Sequence, residues 1–293
     1  MNKEFNESKK LSTDFYRKIL LSLFLLLASI NMKASVIHWI TFIDTKDEYV
    51  GELDLNARKI LYSRFVDVVN SSLSLIGYTS DVLDFYGVNV TPDKCADIVE
   101  SMKCEANDIV VFYYIGHGYH PSDDVTEYPT MVLGTNTISD KSLPLSWVHN
   151  ILKGKGARLV ITIGACSNVI MQSSTASKKS FAIPPKVQSQ SDNSLVFSEN
   201  GMSAIQRAFA CTKGELVMCA SSLGQGAFGG PTSMGSIDYL TAALITNFED
   251  LTYENIFSWE SLLKETQTSV WEITNGKQTP FFYYNLKQSP MNE

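Results

Sequence analysis

Two continuous apolar runs constrain this chain more than any other feature. One reads Asp108-Ile-Val-Val-Phe-Tyr-Tyr-Ile-Gly-His117-Gly118, the other Arg158-Leu-Val-Ile-Thr-Ile-Gly-Ala-Cys166-Ser-Asn168. Both are rich in β-branched and aromatic residues, and neither alternates with polar ones. That pattern belongs to strands buried on both faces, as in a parallel sheet. The first run ends in Gly116 and then His117, and the second in Gly164-Ala165 and then Cys166. Open parallel sheets gather active groups where the strands end at their carboxyl edge. Two neighbouring strands would therefore bring an imidazole and a thiol to one edge, a base and a nucleophile.

The rest of the chain alternates strands with helices. Ser35–Ile43 reads as a first buried strand, with His38 a satisfied core histidine. Asp44-Thr-Lys-Asp47 reads as a turn. Leu53–Ile76 carries Ile60, Leu61, Phe65, Val68, Val69 and Leu73 at helical spacing, and Gly77 stops the helix. Asp81–Tyr86 is a weaker second strand. Thr91-Pro92-Asp93 then opens a helix, with Thr as N-cap and Pro in the first position. Ile109–Ile115 is the third strand. Tyr119–Ser142 is polar loop with a small hairpin or edge strand at Met131–Leu133. Pro144–Leu152 reads as a helix with His149 on its solvated surface, and Arg158–Ile163 as the fourth strand. Met202–Phe209, Ser236–Asn247 and Trp259–Trp271 read as helices, Glu215–Ala220 as a fifth strand and Phe281–Leu286 as a last one. Such alternation predicts an α/β fold in which a mostly parallel, roughly six-stranded sheet carries helices on both faces.

At the N-terminus, Lys9, Lys10, Arg17 and Lys18 precede an apolar run from Ile19 to Ile30, and Lys33-Ala34 follows. A basic segment, about 7–15 apolar residues and a small residue at the cut describe a secretory leader. The run is short for a membrane span, which takes about 20 residues. The expectation is an exported chain, periplasmic or extracellular, with a leader over 1–34, one domain over 35–293 and no stable membrane span once the leader is gone. Removing residues 1–34 leaves 18 Lys and Arg against 28 Asp and Glu, ten net negative charges. That balance disfavours a nucleic-acid partner, because phosphate binding needs clustered positive charge. Cys95, Cys104, Cys166, Cys211 and Cys219 are an odd set. Cys95–Cys104 and Cys211–Cys219 are candidate pairs, and four buried thiols are the alternative. No CxxC or Cys/His ligand cluster occurs, so neither a metal site nor a cofactor is expected.

A thiol with a pKa of about 8.5 is only a few per cent thiolate at neutral pH, and a neighbouring imidazole supplies the missing base. His120 is a rival to His117 for that role, but lies beyond the turn. The His-Gly after a buried strand and the Ala-Cys closing the next helix-plus-strand unit resemble the caspase-like cysteine peptidases. In caspases the His stands roughly 50 residues before the Cys. Ser221-Ser-Leu-Gly-Gln-Gly-Ala, the Gly235–Leu244 segment and Gln278-Thr-Pro280 are similar to later segments of that family, so the likeness runs over about residues 36–286.

The resemblance implies a three-layer caspase-like fold and a cysteine endopeptidase acting on peptide or protein substrates through a Cys-His dyad and a thioester acyl-enzyme. It assigns Cys166 as nucleophile, His117 as acid and base, and the N–H groups of Gly118 and Cys166 as the oxyanion hole. Residues 169–200, polar and carrying Pro184-Pro185, would match a linker sometimes cut on activation. Gly164, Ser221 and Ser222 would line the substrate cleft. Asp123 and Asp124 either add charge there or form a solvated turn. Paired sheets through the last strand would make an oligomer. This chain departs from the caspase signature, Gln-Ala-Cys followed by Arg, Gln or Gly and then Gly. It has Gly164 before Ala-Cys166 and Ser167-Asn168 after, without the acidic residue that metacaspase-like relatives carry two positions before the Cys. Those departures motivate the alternative of a catalytically inactive caspase-like binding or scaffold domain.

Overall fold

The structure, a computed structural model, describes residues 34–134, 142–171 and 202–288. The leader expected over 1–34, save Ala34, and the linker expected over 169–200, save its first three residues, lie outside them. In chain order, β1 (Val36–Ile43) leads to α1 (Gly51–Leu61) and α2 (Asp67–Ser74), joined by a π-helical turn over Tyr62–Val66. Then come β2 (Thr79–Tyr86), α3 (Pro92–Ser101) and β3 (Ile109–Ile115). Three short strands follow, β4 (Gly118–Pro121), β5 (Thr130–Val132) and β6 (Ser142–Pro144), and after them α4 (Leu145–Lys153), β7 (Leu159–Ala165) and β8 (Ile170–Met171). The chain closes with α5 (Ala204–Ala210), β9 (Thr212–Cys219), a hairpin of β10 (Gly229–Thr232) and β11 (Gly235–Asp238), α6 (Tyr239–Tyr253), α7 (Trp259–Ile273) and β12 (Phe281–Gln288).

Six strands form one sheet in the order β12-β9-β7-β3-β1-β2, and every neighbour pair is parallel except β12 with β9. Side chains alternate between its two faces. Ile109, Val111, Tyr113 and Ile115 of β3 and Leu159, Ile161 and Ile163 of β7 join one core, covered by α1, α2, α5, α6 and α7. Val110, Phe112 and Tyr114 of β3 and Val160 of β7 join the other, covered by α3 and α4. The sheet is thus sandwiched between two helical layers, the α/β architecture that the alternation predicts. The α3 start is built as expected, with Thr91 accepting from the Lys94 N–H at 3.3 Å and Pro92 in the first turn.

Three details differ from the sequence reading. The π turn re-phases the long helix: Leu61, Phe65, Val66, Val69 and Leu73 are buried, while Val68, placed on the apolar stripe, is 39% exposed. Ser236–Asp238 is not helical, because Gly229-Gly230-Pro231 and Gly235 turn the chain into the β10–β11 hairpin first, and α6 starts only after Asp238 caps it by accepting from the Thr241 N–H at 2.8 Å. His149 is buried rather than solvated. Its Nδ1 lies 3.0 Å from Thr162 Oγ1 and its Nε2 3.0 Å from Glu215 Oε2. Lys153 Nζ donates to the other Glu215 oxygen at 2.8 Å. No disulfide forms among the five cysteines.

Burial acts to raise the Glu215 carboxyl, but His149 and Lys153 outweigh it and hold the group down at about 2, from an ordinary 4.5. A folded-state pKa below the unfolded one gives stability that is present above pH 4.5 and lost as pH falls toward 2. The ceiling is about 3 kcal/mol at 1.36 kcal/mol per unit, less for the exposure of Lys153. In urea titrations at pH 7, Glu215→Gln should therefore be less stable than wild type by about 1–3 kcal/mol. The gap should close near pH 2, and a gap independent of pH would contradict the coupling.

Candidate active site

Parallel pairing of β3 with β7 is in register, with Ile115 beside Ala165. His117 and Cys166 therefore leave neighbouring strands at the same edge. Gly116 makes the turn between β3 and His117. A side chain there has no room, since a Cβ would fall 2.6 Å from the Tyr114 hydroxyl and 3.1 Å from Asp44 Cβ. The single Tyr114 hydroxyl proton is shared between the carbonyls of His117 and Val132, at 2.7 and 2.5 Å, which fixes the His117 backbone. Gly118 then packs against the cysteine: a Cβ on it would lie 2.6 Å from Cys166 Sγ and 2.7 Å from the Ser167 carbonyl.

The two reactive groups have different surroundings. The His117 side chain is 47% exposed, and its Nε2 lies 3.0 Å from Asp47 Oδ2. Cys166 is 1% exposed, and burial pushes its thiol well above the ordinary range. No hydrogen bond joins the thiol to the imidazole among the described residues. His120 is not a competing base, because it is buried with Nδ1 3.2 Å from the Tyr128 carbonyl and Nε2 3.2 Å from the Asp124 carbonyl.

Asn168 joins three loops. Its N–H donates to Gln225 O at 2.9 Å, its carbonyl accepts from Gly224 N–H at 2.9 Å, and its Nδ2 donates to Glu127 O at 2.9 Å. Ser167 Oγ accepts from the Ala227 N–H at 2.9 Å. Gln278 backs the same loop, donating to Ala220 O and accepting from the Phe228 N–H, at 2.9 and 2.8 Å. The segments after the His, after the Cys and after β9 are thereby held as one unit.

The other candidates take structural places. Gly164 does not line a cleft: it is buried in β7, and a Cβ on it would meet Leu145 Cδ2 at 2.8 Å. Leu145 thus stands where a side chain two positions before the Cys would project. Ser221 is fully buried, with Oγ 3.1 Å from the Gln225 carbonyl. Ser222 Oγ donates to Thr279 O at 2.9 Å. Asp123 is exposed, and Asp124 caps a turn by accepting from the Thr126 N–H at 2.8 Å.

Asp47 and the acids behind it escaped the sequence reading, which saw only a turn there. Asp47 Oδ1 accepts from the N–H groups of Tyr49 and Val50 at 2.8 and 2.9 Å. Burial acts to raise Asp47, but those bonds and His117 outweigh it and hold the carboxyl below its ordinary value. Asp54 is pushed up to about 9, by burial first and then by the charges of Asp238, Asp44 and Asp47. Burial also raises Asp44, and lifts Asp238 to about 6. No group of three or more acidic, His or Cys side chains among the described residues is arranged to hold a metal ion.

A family model described as the caspase domain matches residues 66–289. The chain belongs to the caspase domain family. The matched segment contains β3, β7 and β9 and thus both His117 and Cys166, whereas β1 and Asp47 precede it. In a caspase domain this arrangement is a cysteine-peptidase fold, and in this chain Gln278 braces the loop after β9. Among solved structures, a crystal structure of a protein from Geobacter sulfurreducens is similar, at 13% identity and a TM-score of 0.46, over 89% of this chain and 98% of that one. No curated protein matches the chain. No helix of the described residues is long and apolar enough to cross a membrane.

The close approach of Gly118 to Cys166 yields a direct test. Gly118→Ala must displace the thiol or the Ser167 carbonyl, at a cost of about 1–3 kcal/mol for overpacking. The variant should melt several degrees lower and alkylate at Cys166 at a changed rate. An unaltered melting curve and rate would show that the contact is not tight in solution.

Proposed function

We propose that this caspase domain is a cysteine endopeptidase, with Cys166 as nucleophile and His117 as acid and base. One observation carries the reading: Gly118, next to His117, packs on the Cys166 sulfur at the carboxyl edge of the sheet. In the reaction, His117 takes the thiol proton and the sulfur attacks the carbonyl carbon of the scissile peptide. The electron pair of that C=O moves to oxygen, where the N–H groups of Gly118 and Cys166 stabilise the oxyanion. As the C–N bond breaks, the His117 proton passes to the leaving amine and a thioester remains. Water, deprotonated by His117, then releases the acid and restores the thiol. The substrate is a peptide or protein chain. The proposal includes export of the protein by its N-terminal leader to a periplasmic or extracellular setting.

A second reading, a binding or scaffold domain without turnover, is favoured by the state of Cys166. The thiol is buried, its pKa is raised, and no hydrogen bond ties it to His117. Resting sites tighten when substrate binds, and in the peptidase reading this is the form before substrate arrives.

The test is intact-mass spectrometry of the mature chain over time under mild reduction, alone and with a peptide library, beside Cys166→Ala and His117→Ala. Cleavage should occur in wild type, vanish in Cys166→Ala, and drop by about 10²–10⁴ in His117→Ala. Equal cleavage in Cys166→Ala would overturn the peptidase reading. No cleavage by any form would favour the scaffold.

A further inference from the structure

We infer that Asp47 is the positioning residue of this site: it holds the His117 ring with Nε2 protonated and leaves Nδ1 as the nitrogen that meets Cys166. The inference rests on the peptidase reading above.

The geometry fixes the carboxylate before it fixes the ring. Asp47 Oδ1 is taken by the N–H groups of Tyr49 and Val50, at 2.8 and 2.9 Å. The Asp47 carbonyl accepts from the Gly51 N–H at 3.1 Å, so side chain and main chain together tie the residue to the first turn of α1. Only Oδ2 is left, and it lies at ion-pair distance from His117 Nε2, 3.0 Å away, on a side chain only 16% exposed. An ionised carboxylate only accepts, so its contact with Nε2 favours the proton on that nitrogen. In the neutral ring, Nδ1 then holds a lone pair for the thiol.

The charges around His117 agree with that assignment. Four acids face this region: Asp44 and Asp47 after β1, Asp54 in α1 and Asp238 at the start of α6. Asp54 and Asp238 each have one carboxyl oxygen buried without a hydrogen-bond partner, and burial favours their protonated forms. Asp47 has two backbone donors and stays ionised, held below its ordinary value although burial opposes this. Of these four acids, Asp47 is the one within ion-pair distance of the ring, at 3.0 Å. During reaction Asp47 takes no proton; it stabilises the imidazolium formed when Nδ1 accepts the thiol proton.

Asp47→Asn separates positioning from a merely structural role. The asparagine Oδ1 still accepts from Tyr49 and Val50, so the turn keeps its cap. Its NH₂ now faces Nε2, which must become the acceptor, and the proton moves to Nδ1, where it blocks the thiol. A structural role predicts wild-type behaviour for this variant. Positioning predicts a tautomer switch, read as a ring ¹H–¹⁵N correlation at Nδ1 instead of Nε2. It also predicts a kcat lower by about 10- to 100-fold with little change in KM. Asp47→Ala should lose activity as well, and comparing the two guards against a folding defect in either. An unchanged tautomer in Asp47→Asn overturns the inference, as does a switched tautomer with unchanged kcat in an active chain. A wild type inert toward every peptide defeats the peptidase reading instead, and the ring correlation, which needs no turnover, then still decides whether Asp47 sets the tautomer.

Discussion

The candidate site depends on the register between β3 and β7. Seven consecutive residue pairs, from Ile109 with Leu159 to Ile115 with Ala165, run in parallel without a bulge. A slip of one residue would turn every side chain of a strand to the opposite face. Tyr113 would then leave its buried hydrogen bond to Thr241, at 2.8 Å, and Tyr114 would leave the carbonyl of His117. Register is therefore set by large side chains on both faces, well away from the chemistry. Given that register, His117 and Cys166 leave adjacent strands at one edge of the sheet.

The loops determine how open the edge is. Asn168, Ser167 and Gln278 bind the segment after β9 to the segments after His117 and Cys166, so most of its N–H groups are spent internally. Cys166 itself is buried, packed against Gly118, and burial raises its thiol pKa. Asp47 meets the half-exposed imidazole at 3.0 Å. The imidazole is half exposed, while the thiol is buried and burial raises its pKa.

Most of the fold was legible in the sequence because its strands are buried on both faces and its helices on one. Ile109–Ile115 announces itself as unbroken apolar chain, and Thr91-Pro92 as a helix start. His117 and Cys166 were legible for the same reason, each standing just past such a run. What escaped depends on contacts between distant residues. His149 shows a polar residue on a short helix, and only β9 supplies the Glu215 that buries it, 66 positions away. Gly164 suggested an open pocket position, but Leu145 fills the space. Asp47 lies 70 residues before the imidazole it meets, in a segment that reads only as a turn. The β10–β11 hairpin was missed because Ile237 and Leu240 fit a helical stripe, whereas the glycines around Pro231 act one turn earlier.

The central claim is that His117 activates Cys166 although the thiol is buried. Competitive alkylation of the native protein, read cysteine by cysteine by peptide mass spectrometry, tests it most directly. Accessibility alone ranks Cys104 first, since it is half-buried while the other four cysteines are buried. Activation predicts that Cys166 reacts ahead of Cys104 and falls back to the rate of Cys95 and Cys219 when His117 is replaced by alanine. Modification of Cys104 first, with Cys166 no faster than the buried thiols and indifferent to His117, would contradict the account.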